Sequence, residues 1–195
     1  TDPEAKPVAH VVCGLDEVRP RRDPLRPLLL CLSSSGNRIS RKSFEGGRSK
    51  EISRLIGRSL RAVCNLGIIN GYSFTVDCDV LEADGGTRTA SINGAWIALN
   101  DTFNQMVNDK KLVQNPLTSK LGAISVGIVG GELIADLDYE KDSNADVDLN
   151  LVLDEKFQIL EIQGTAEGNP FSKTNLDDLF DLAKECVQEI FTVQG

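Results

Sequence analysis

The sequence has few of the residues on which several common catalytic and metal sites depend. It contains a single histidine, His10, so we expect neither a histidine-based triad nor a multi-histidine metal site and assign His10 no role. Its five cysteines are an odd number without a CxxC pair, which argues against a disulfide framework and a zinc site. We therefore expect reduced thiols, mostly buried.

Long apolar runs are also missing. No stretch of about 18 apolar residues occurs, and the N-terminus lacks the apolar segment of a secretory signal. These absences predict a soluble, cytoplasmic protein with no membrane partner. The chain of 195 residues with 41% hydrophobic content is long enough to bury one core, so a single domain is the default expectation.

Arginine is absent from the C-terminal third. Residues 132–195 contain none and are rich in Asp and Glu, whereas residues 1–61 carry ten arginines against seven acidic residues. The net charge of −8 would by itself argue against a nucleic-acid partner, because phosphate neutralisation needs clustered cations. The asymmetry instead suits one end to a polyanion and the other to a cation.

Periodicity predicts an α+β fold, with a mostly antiparallel or mixed sheet packed against helices. Residues 1–36 hold five of the seven prolines and show no periodicity, so they are expected to be irregular apart from a possible short strand at 28–32. Ser49 is the expected N-cap of the first helix. The elements expected after it are helices at 49–63, 89–108 and 175–193 and strands at 73–81, 123–129, 133–139, 147–153 and 158–163.

A glycine-rich turn, Asp-Gly-Gly-Thr-Arg at 84–88, separates a predicted strand from a predicted helix. Backbone N–H groups at a helix N-terminus favour an anion, and Thr87 and Arg88 add a hydroxyl and a guanidinium. The alternative is a tight turn at Gly85 and Gly86 with Thr87 merely capping the helix. Spacing alone does not decide between them.

Six acidic residues crowd the end of one predicted strand, the following loop and the start of the next strand. They are Asp136, Asp138, Glu140, Asp142, Asp146 and Asp148. Such a group suits Mg²⁺ with retained waters, and like-charge crowding can raise the pKa of one carboxyl until it serves as a general acid. The alternative is a solvated acidic loop, and the spacing is not that of an EF-hand.

Several motifs in series resemble the ribonuclease PH family. They are GRSKEI at 47–52, RLIGRSLRAV at 54–63, DCDVLEADGGTRTA at 77–90, VGIV at 126–129 and QGTAEG at 163–168. Motifs in series are far more specific than any one alone. The resemblance covers residues 37–195 and implies a ribonuclease PH-like domain there, the fold also called ribosomal protein S5 domain 2-like, with residues 1–36 as a separate irregular segment.

The resemblance implies a phosphate-dependent 3′ to 5′ exoribonuclease, a tRNA nucleotidyltransferase. In that reaction inorganic phosphate attacks the 3′-terminal linkage of tRNA precursors and other RNAs and releases a nucleoside diphosphate. The residues that would hold the phosphate are Arg48, Gly86, Thr87 and Arg88. Asp142 and Asp148 match the family's acidic pair, which would bind Mg²⁺ or protonate the leaving 3′-oxygen.

The resemblance also implies a homo-oligomer, typically a hexameric ring of dimers, in which arginines contact RNA. Arg38 and Arg41 fall where the family has such arginines, and Arg54 and Arg58 extend the basic strip, whose alternative is a solvated helix face. Residues 1–32 lack the strands and the Thr-Ala-Glu-Tyr motif with which the family begins, so the N-terminal part is expected to be missing or replaced. The alternatives to the enzyme are an inactive RNA-binding ring subunit and a nonfunctional fragment.

Overall fold

The structure is a computed structural model, and it describes residues 9–20, 29–34 and 47–195. These residues form seven strands and four helices. In chain order they are β1 (Ala9–Pro20), β2 (Leu29–Ser34), α1 (Gly47–Ala62), β3 (Tyr72–Ala83), α2 (Thr87–Asn108), β4 (Leu121–Val129), β5 (Glu132–Ala135), α3 (Tyr139–Ser143), β6 (Val147–Asp154), β7 (Ile159–Ala166) and α4 (Lys173–Val193). The α+β architecture is the one predicted.

The strands form two sheets. One has the order β1-β3-β2, with β1 antiparallel and β2 parallel to β3. The other has the order β5-β4-β6-β7, and every neighbouring pair in it is antiparallel. The expectation of a mostly antiparallel sheet against helices is confirmed. None of the helices in the described ranges is both long and apolar enough to cross a membrane.

The expectation that residues 1–36 are irregular is wrong for residues 9–20, whereas the short strand expected at 28–32 is confirmed as β2 at 29–34. β1 and β2 pair with opposite edges of β3, whose Phe74, Val76 and Cys78 are buried. Pairing with this central strand stabilises β1 and β2 as strands, although their own sequences show no strand periodicity. Pro20 is the last residue of β1, where a missing N–H is tolerated. The rest of that segment lies outside the described residues.

Two element boundaries also differ from those expected, for local reasons. α1 already begins at Gly47, so Ser49 lies inside the helix and is not its N-cap. β5 ends at Ala135 because Asp136 has a φ of 54°, a left-handed conformation that interrupts an extended strand.

The second sheet is covered on both faces. On one face of β6, Leu149 and Leu151 pack with Leu179 of α4. On the other, Val152 belongs to the core formed with α1, α2 and β3. Since side chains alternate along a strand, Asp148 lies on the same face of β6 as Val152. This places Asp148 on the side of α1 and α2.

Candidate active site

The glycine-rich turn has the conformation that glycine makes accessible. Gly85 has a φ of 123° and Gly86 a φ of 57°, both positive. Gly86 is the N-cap of α2 and makes no side-chain cap hydrogen bond, while Thr87 is already the first helical residue. Thr87 is therefore not the cap that the alternative interpretation required. The N-terminus of α2 retains backbone donors suited to an anion.

The turn is joined to the acidic segment. Gly85 forms an isolated antiparallel bridge with Asp138. Asp138 is the N-cap of α3: its side chain accepts a hydrogen bond from the Lys141 backbone N–H at 2.8 Å and pairs with the Lys141 ammonium. Hydrogen bonds from Lys141 lower the pKa of Asp138. Asp138 thus has a structural partner, and the bridge brings α2 and the acidic segment together.

Asp148 has a different environment from Asp138. It is half-buried, and desolvation raises its pKa, with further contributions from the charges of Asp142 and Glu167. The positive charge of Arg88 acts in the opposite direction. Arg88, Asp142 and Asp148 therefore interact electrostatically although they lie on three different elements. The predicted phosphate ligand Arg88 and the predicted acidic pair therefore lie close enough for their charges to interact, while their roles stay predictions.

Two motif glycines near Asp148 are explained by packing. Asp148 pairs with Gly127 of β4, where an added Cβ would lie 2.5 Å from the backbone oxygen of Val147. At Gly164 of β7, an added Cβ would lie 1.8 Å from a methyl group of Leu149. The VGIV and QGTAEG motifs therefore contain glycines where the strands around β6 leave no room for a side chain.

Arg88 has a partner that the sequence did not reveal. Its Nη2 lies 3.4 Å from Oε2 of Glu51 on α1, and the other oxygen of Glu51 accepts a hydrogen bond from Gln163 Nε2 at 2.9 Å. Within residues 47–195, Arg88 Nε and Gln163 Oε1 are buried without a hydrogen-bond partner. The only sequence signal for Glu51 and Gln163 was their place in the motifs.

The other arginines predicted to bind phosphate or RNA fall into three groups. Arg54 and Arg58 are exposed on α1, but Arg58 forms a bidentate ion pair with Glu161 of β7, at 2.5 Å and 3.1 Å. Hydrogen bonding to Glu161 raises the pKa of Arg58. Arg48 lies in the first turn of α1, although its side chain is not among those described. Arg38 and Arg41 lie outside the described residues.

Mg²⁺ is the cation expected at the acidic pair. Within the described ranges, no three His, Cys, Asp or Glu residues group together as metal ligands. Mg²⁺ needs only one or two carboxylates when waters and substrate phosphates complete its coordination. Asp142 and Asp148 fit that requirement, since burial and then the charge of Asp142 raise the pKa of Asp148, and a bound cation would favour its ionised form. Mg²⁺ itself stays a prediction.

Known structures with the same fold include the following three. Rice (Oryza sativa) Rrp46 superposes with a TM-score of 0.75 at 17% identity, covering 97% of this chain and 84% of that one. An archaeal exosome core gives 0.70 at 20% identity, covering 93% and 75%. An Archaeoglobus fulgidus exosome with RNA bound to the active site gives 0.71 at 21% identity, covering 96% and 80%.

Two family models match the sequence. The model described as 3′ exoribonuclease family, domain 1, matches residues 6–103, and the model for domain 2 of the same family matches residues 121–186. The first match includes residues that were expected to lie outside the resemblance, although a missing or replaced N-terminal part stays a prediction. Together the matches extend over most of the chain, which belongs to the 3′ exoribonuclease family that includes ribonuclease PH.

Proposed function

We propose that the protein is a phosphate-dependent 3′ to 5′ exoribonuclease that trims tRNA precursors and other RNAs. One observation carries the proposal: Arg88, at the N-terminus of α2, interacts with Asp148, whose pKa is raised by burial and by Asp142. A positively charged site for an anion, next to a pair of carboxylates, suits attack by inorganic phosphate on a phosphodiester. Phosphoryl transfer depends mainly on positioning and charge neutralisation, which these groups supply.

The attacking phosphate is held by the glycine turn. The backbone N–H groups of α2, the Thr87 hydroxyl and the guanidiniums of Arg48 and Arg88 are the proposed ligands. One phosphate oxygen bonds to the phosphorus of the 3′-terminal linkage while the bond to the RNA 3′-oxygen breaks. The product is a nucleoside diphosphate and an RNA shortened by one nucleotide.

The leaving 3′-oxygen must be neutralised, and two roles for the acidic pair are consistent with the geometry. A raised pKa suits Asp148 for donating a proton to that oxygen. Alternatively, Asp142 and Asp148 hold Mg²⁺, which supplies positive charge to the reacting phosphates when bound. Both roles require the two carboxylates beside Arg88.

RNA and further copies of the chain are the proposed partners. Arg38, Arg41 and Arg54 are proposed to contact RNA phosphates, and Arg58 would have to exchange Glu161 for RNA to do so. Similarity to an exosome core and to an exosome with RNA bound to its active site supports RNA binding in a ring. We propose a hexameric ring of dimers in the cytoplasm.

The products formed from a short tRNA-like RNA test the proposed reaction. With inorganic phosphate and Mg²⁺, we expect nucleoside diphosphates rather than monophosphates, because phosphate and not water is the nucleophile. Nucleoside diphosphates in excess should extend the RNA and release phosphate, since the reaction is reversible. Monophosphates formed without phosphate would show hydrolysis and contradict the proposal.

An inactive RNA-binding ring subunit is the second candidate. Similarity to exosome components and the partial neutralisation of Arg88 by Glu51 favour it. RNA binding in a gel shift, a ring-sized particle and no product in either direction would support this candidate. A broad unfolding transition with dye-accessible apolar surface would instead indicate a nonfunctional fragment.

A further inference from the structure

We infer that Glu51 is a positioning residue that fixes the guanidinium of Arg88 in the candidate active site. This inference rests on the proposed function, because it concerns how the phosphate ligand is held. Glu51 lies in the second turn of α1, Arg88 in the first turn of α2, and Gln163 on β7. The three elements meet at the Glu51 carboxylate.

Each oxygen of this carboxylate has its own partner. Oε2 lies 3.4 Å from Arg88 Nη2, and Oε1 accepts a hydrogen bond from Gln163 Nε2 at 2.9 Å. β7 pairs with β6, the strand that carries Asp148. Gln163 therefore fixes Glu51 relative to the strand that carries the acidic group, and Glu51 in turn holds Arg88.

The contact with Glu51 does not involve the Nε–H of the Arg88 guanidinium. Glu51 pairs with Nη2, whereas Nε is buried and has no hydrogen-bond partner within residues 47–195. A guanidinium is a planar fork with several donors, so holding one nitrogen sets the direction of the others. Glu51 thus orients Arg88 before phosphate arrives, which reduces the ordering cost of binding.

Charge and orientation predict opposite effects for Glu51→Gln. If Glu51 acted only as a negative charge near Arg88, its removal would strengthen the positive potential and tighten phosphate binding. If Glu51 positions Arg88, the neutral amide holds the guanidinium less firmly and phosphate binds more weakly. Whether Glu51→Gln binds phosphate more tightly or more weakly therefore distinguishes a charge effect from positioning.

The chain contains a matched control for a purely structural effect. Arg58 and Glu161 form an ion pair that also joins α1 to β7, two residues along the strand from Gln163. Arg88 pairs with Glu51 rather than with Glu161. Glu161→Gln removes the charge of a similar helix-to-strand bridge but leaves the contact between Glu51 and Arg88 in place.

The experiment compares the full chain with its Glu51→Gln and Glu161→Gln variants. KM for phosphate and kcat are measured by nucleoside diphosphate release, phosphate binding by calorimetry, and Tm by thermal unfolding. We expect Glu51→Gln to raise KM for phosphate about ten-fold, because loss of the ion pair leaves the Arg88 guanidinium less firmly oriented. Glu161→Gln should leave that KM unchanged. An unchanged or lower KM in Glu51→Gln, or an equal rise in both variants, would overturn the inference.

A readout that is independent of activity separates this inference from the proposed function. The Nε–H signal of Arg88 in nuclear magnetic resonance spectra can be assigned with Arg88→Lys. Positioning predicts a sharp, slowly exchanging signal in the wild type and in Glu161→Gln, and faster exchange in Glu51→Gln. That pattern in an inactive protein would support positioning while the proposed function fails. Equal exchange in all three proteins would refute positioning whether or not the enzyme is active.

Discussion

The backbone of Gly85 forms an antiparallel bridge with the backbone of Asp138. Gly85 lies in the part matched by domain 1 of the exoribonuclease family, and Asp138 lies in the part matched by domain 2. The bridge therefore joins the glycine-rich turn of the first part, the predicted anion site, to the acidic segment of the second. The candidate active site is formed at this junction.

Replacing Arg88 tests its role as a phosphate ligand. We expect Arg88→Ala to lower kcat/KM for phosphorolysis by about 100-fold or more, because a preorganised charge is lost at the reacting phosphates. RNA binding should be partly retained, since other arginines contact the RNA backbone. Lys156→Ala, an exposed cation in the turn between β6 and β7, is the control. An unchanged rate at limiting phosphate would refute the role.

The left-handed conformation of Gly86 predicts a graded effect of substitution. With a φ of 57°, Gly86→Ala should reduce the free energy of unfolding by about 1 kcal/mol, because a Cβ is strained in this region. For a chain of this size, that corresponds to a Tm lower by about 2–4 °C. Gly86→Asn should reduce the free energy of unfolding less than Gly86→Ala does, since Asn tolerates the left-handed conformation better than Ala. Equal Tm values for all three proteins would show that the turn does not need glycine.

The raised pKa of Asp148 predicts how a neutral substitute behaves with pH. Burial and Asp142 raise this pKa in the folded state above its unfolded value, so the stability linked to its proton is lost as pH rises through the folded pKa. Asp148→Asn should therefore have a higher Tm than the wild type at about pH 7, and the difference should shrink towards about pH 3. A lower Tm for Asp148→Asn at neutral pH would contradict the assignment.

Arg54 and Arg58 should respond differently to replacement. Arg54→Ala is expected to weaken RNA binding. It should also reduce the salt dependence of RNA affinity by the amount that corresponds to about one phosphate contact. Arg58→Ala should mainly remove the ion pair with Glu161. An exposed ion pair stabilises the folded protein by about 0.2–1 kcal/mol. RNA affinity as a function of salt and the unfolding free energy measure both effects. A larger loss of RNA affinity for Arg58→Ala would show that Arg58 exchanges Glu161 for RNA.

Much of the fold after residue 47 is predictable, because its elements have clear periodicity. The sequence of β6 begins with alternating apolar and polar residues, and α4 has apolar residues at helical spacing. β1 was missed because its sequence carries no alternation, and its pairing with β3 is a long-range contact. β5 was expected to be longer because nothing in the sequence signals the positive φ of Asp136.

The site was predictable in part. The glycine turn and Arg88 stand together in one motif, so the anion site could be proposed directly. Spacing alone did not distinguish the acidic residues, and the family resemblance singled out Asp142 and Asp148. The fold adds that Asp138 caps α3 while Asp148 interacts with Arg88. The link from Glu51 to Gln163 spans 112 positions, which no local pattern reveals.

The rate of nucleoside diphosphate release, measured against phosphate concentration, tests the proposed reaction most directly. The substrate is a short tRNA-like RNA with Mg²⁺, and particle size is followed alongside by light scattering. We predict release that requires phosphate, saturates with it and is nearly lost in Arg88→Ala. No release at any phosphate concentration from an assembled particle that still binds the RNA would contradict a phosphorolytic enzyme.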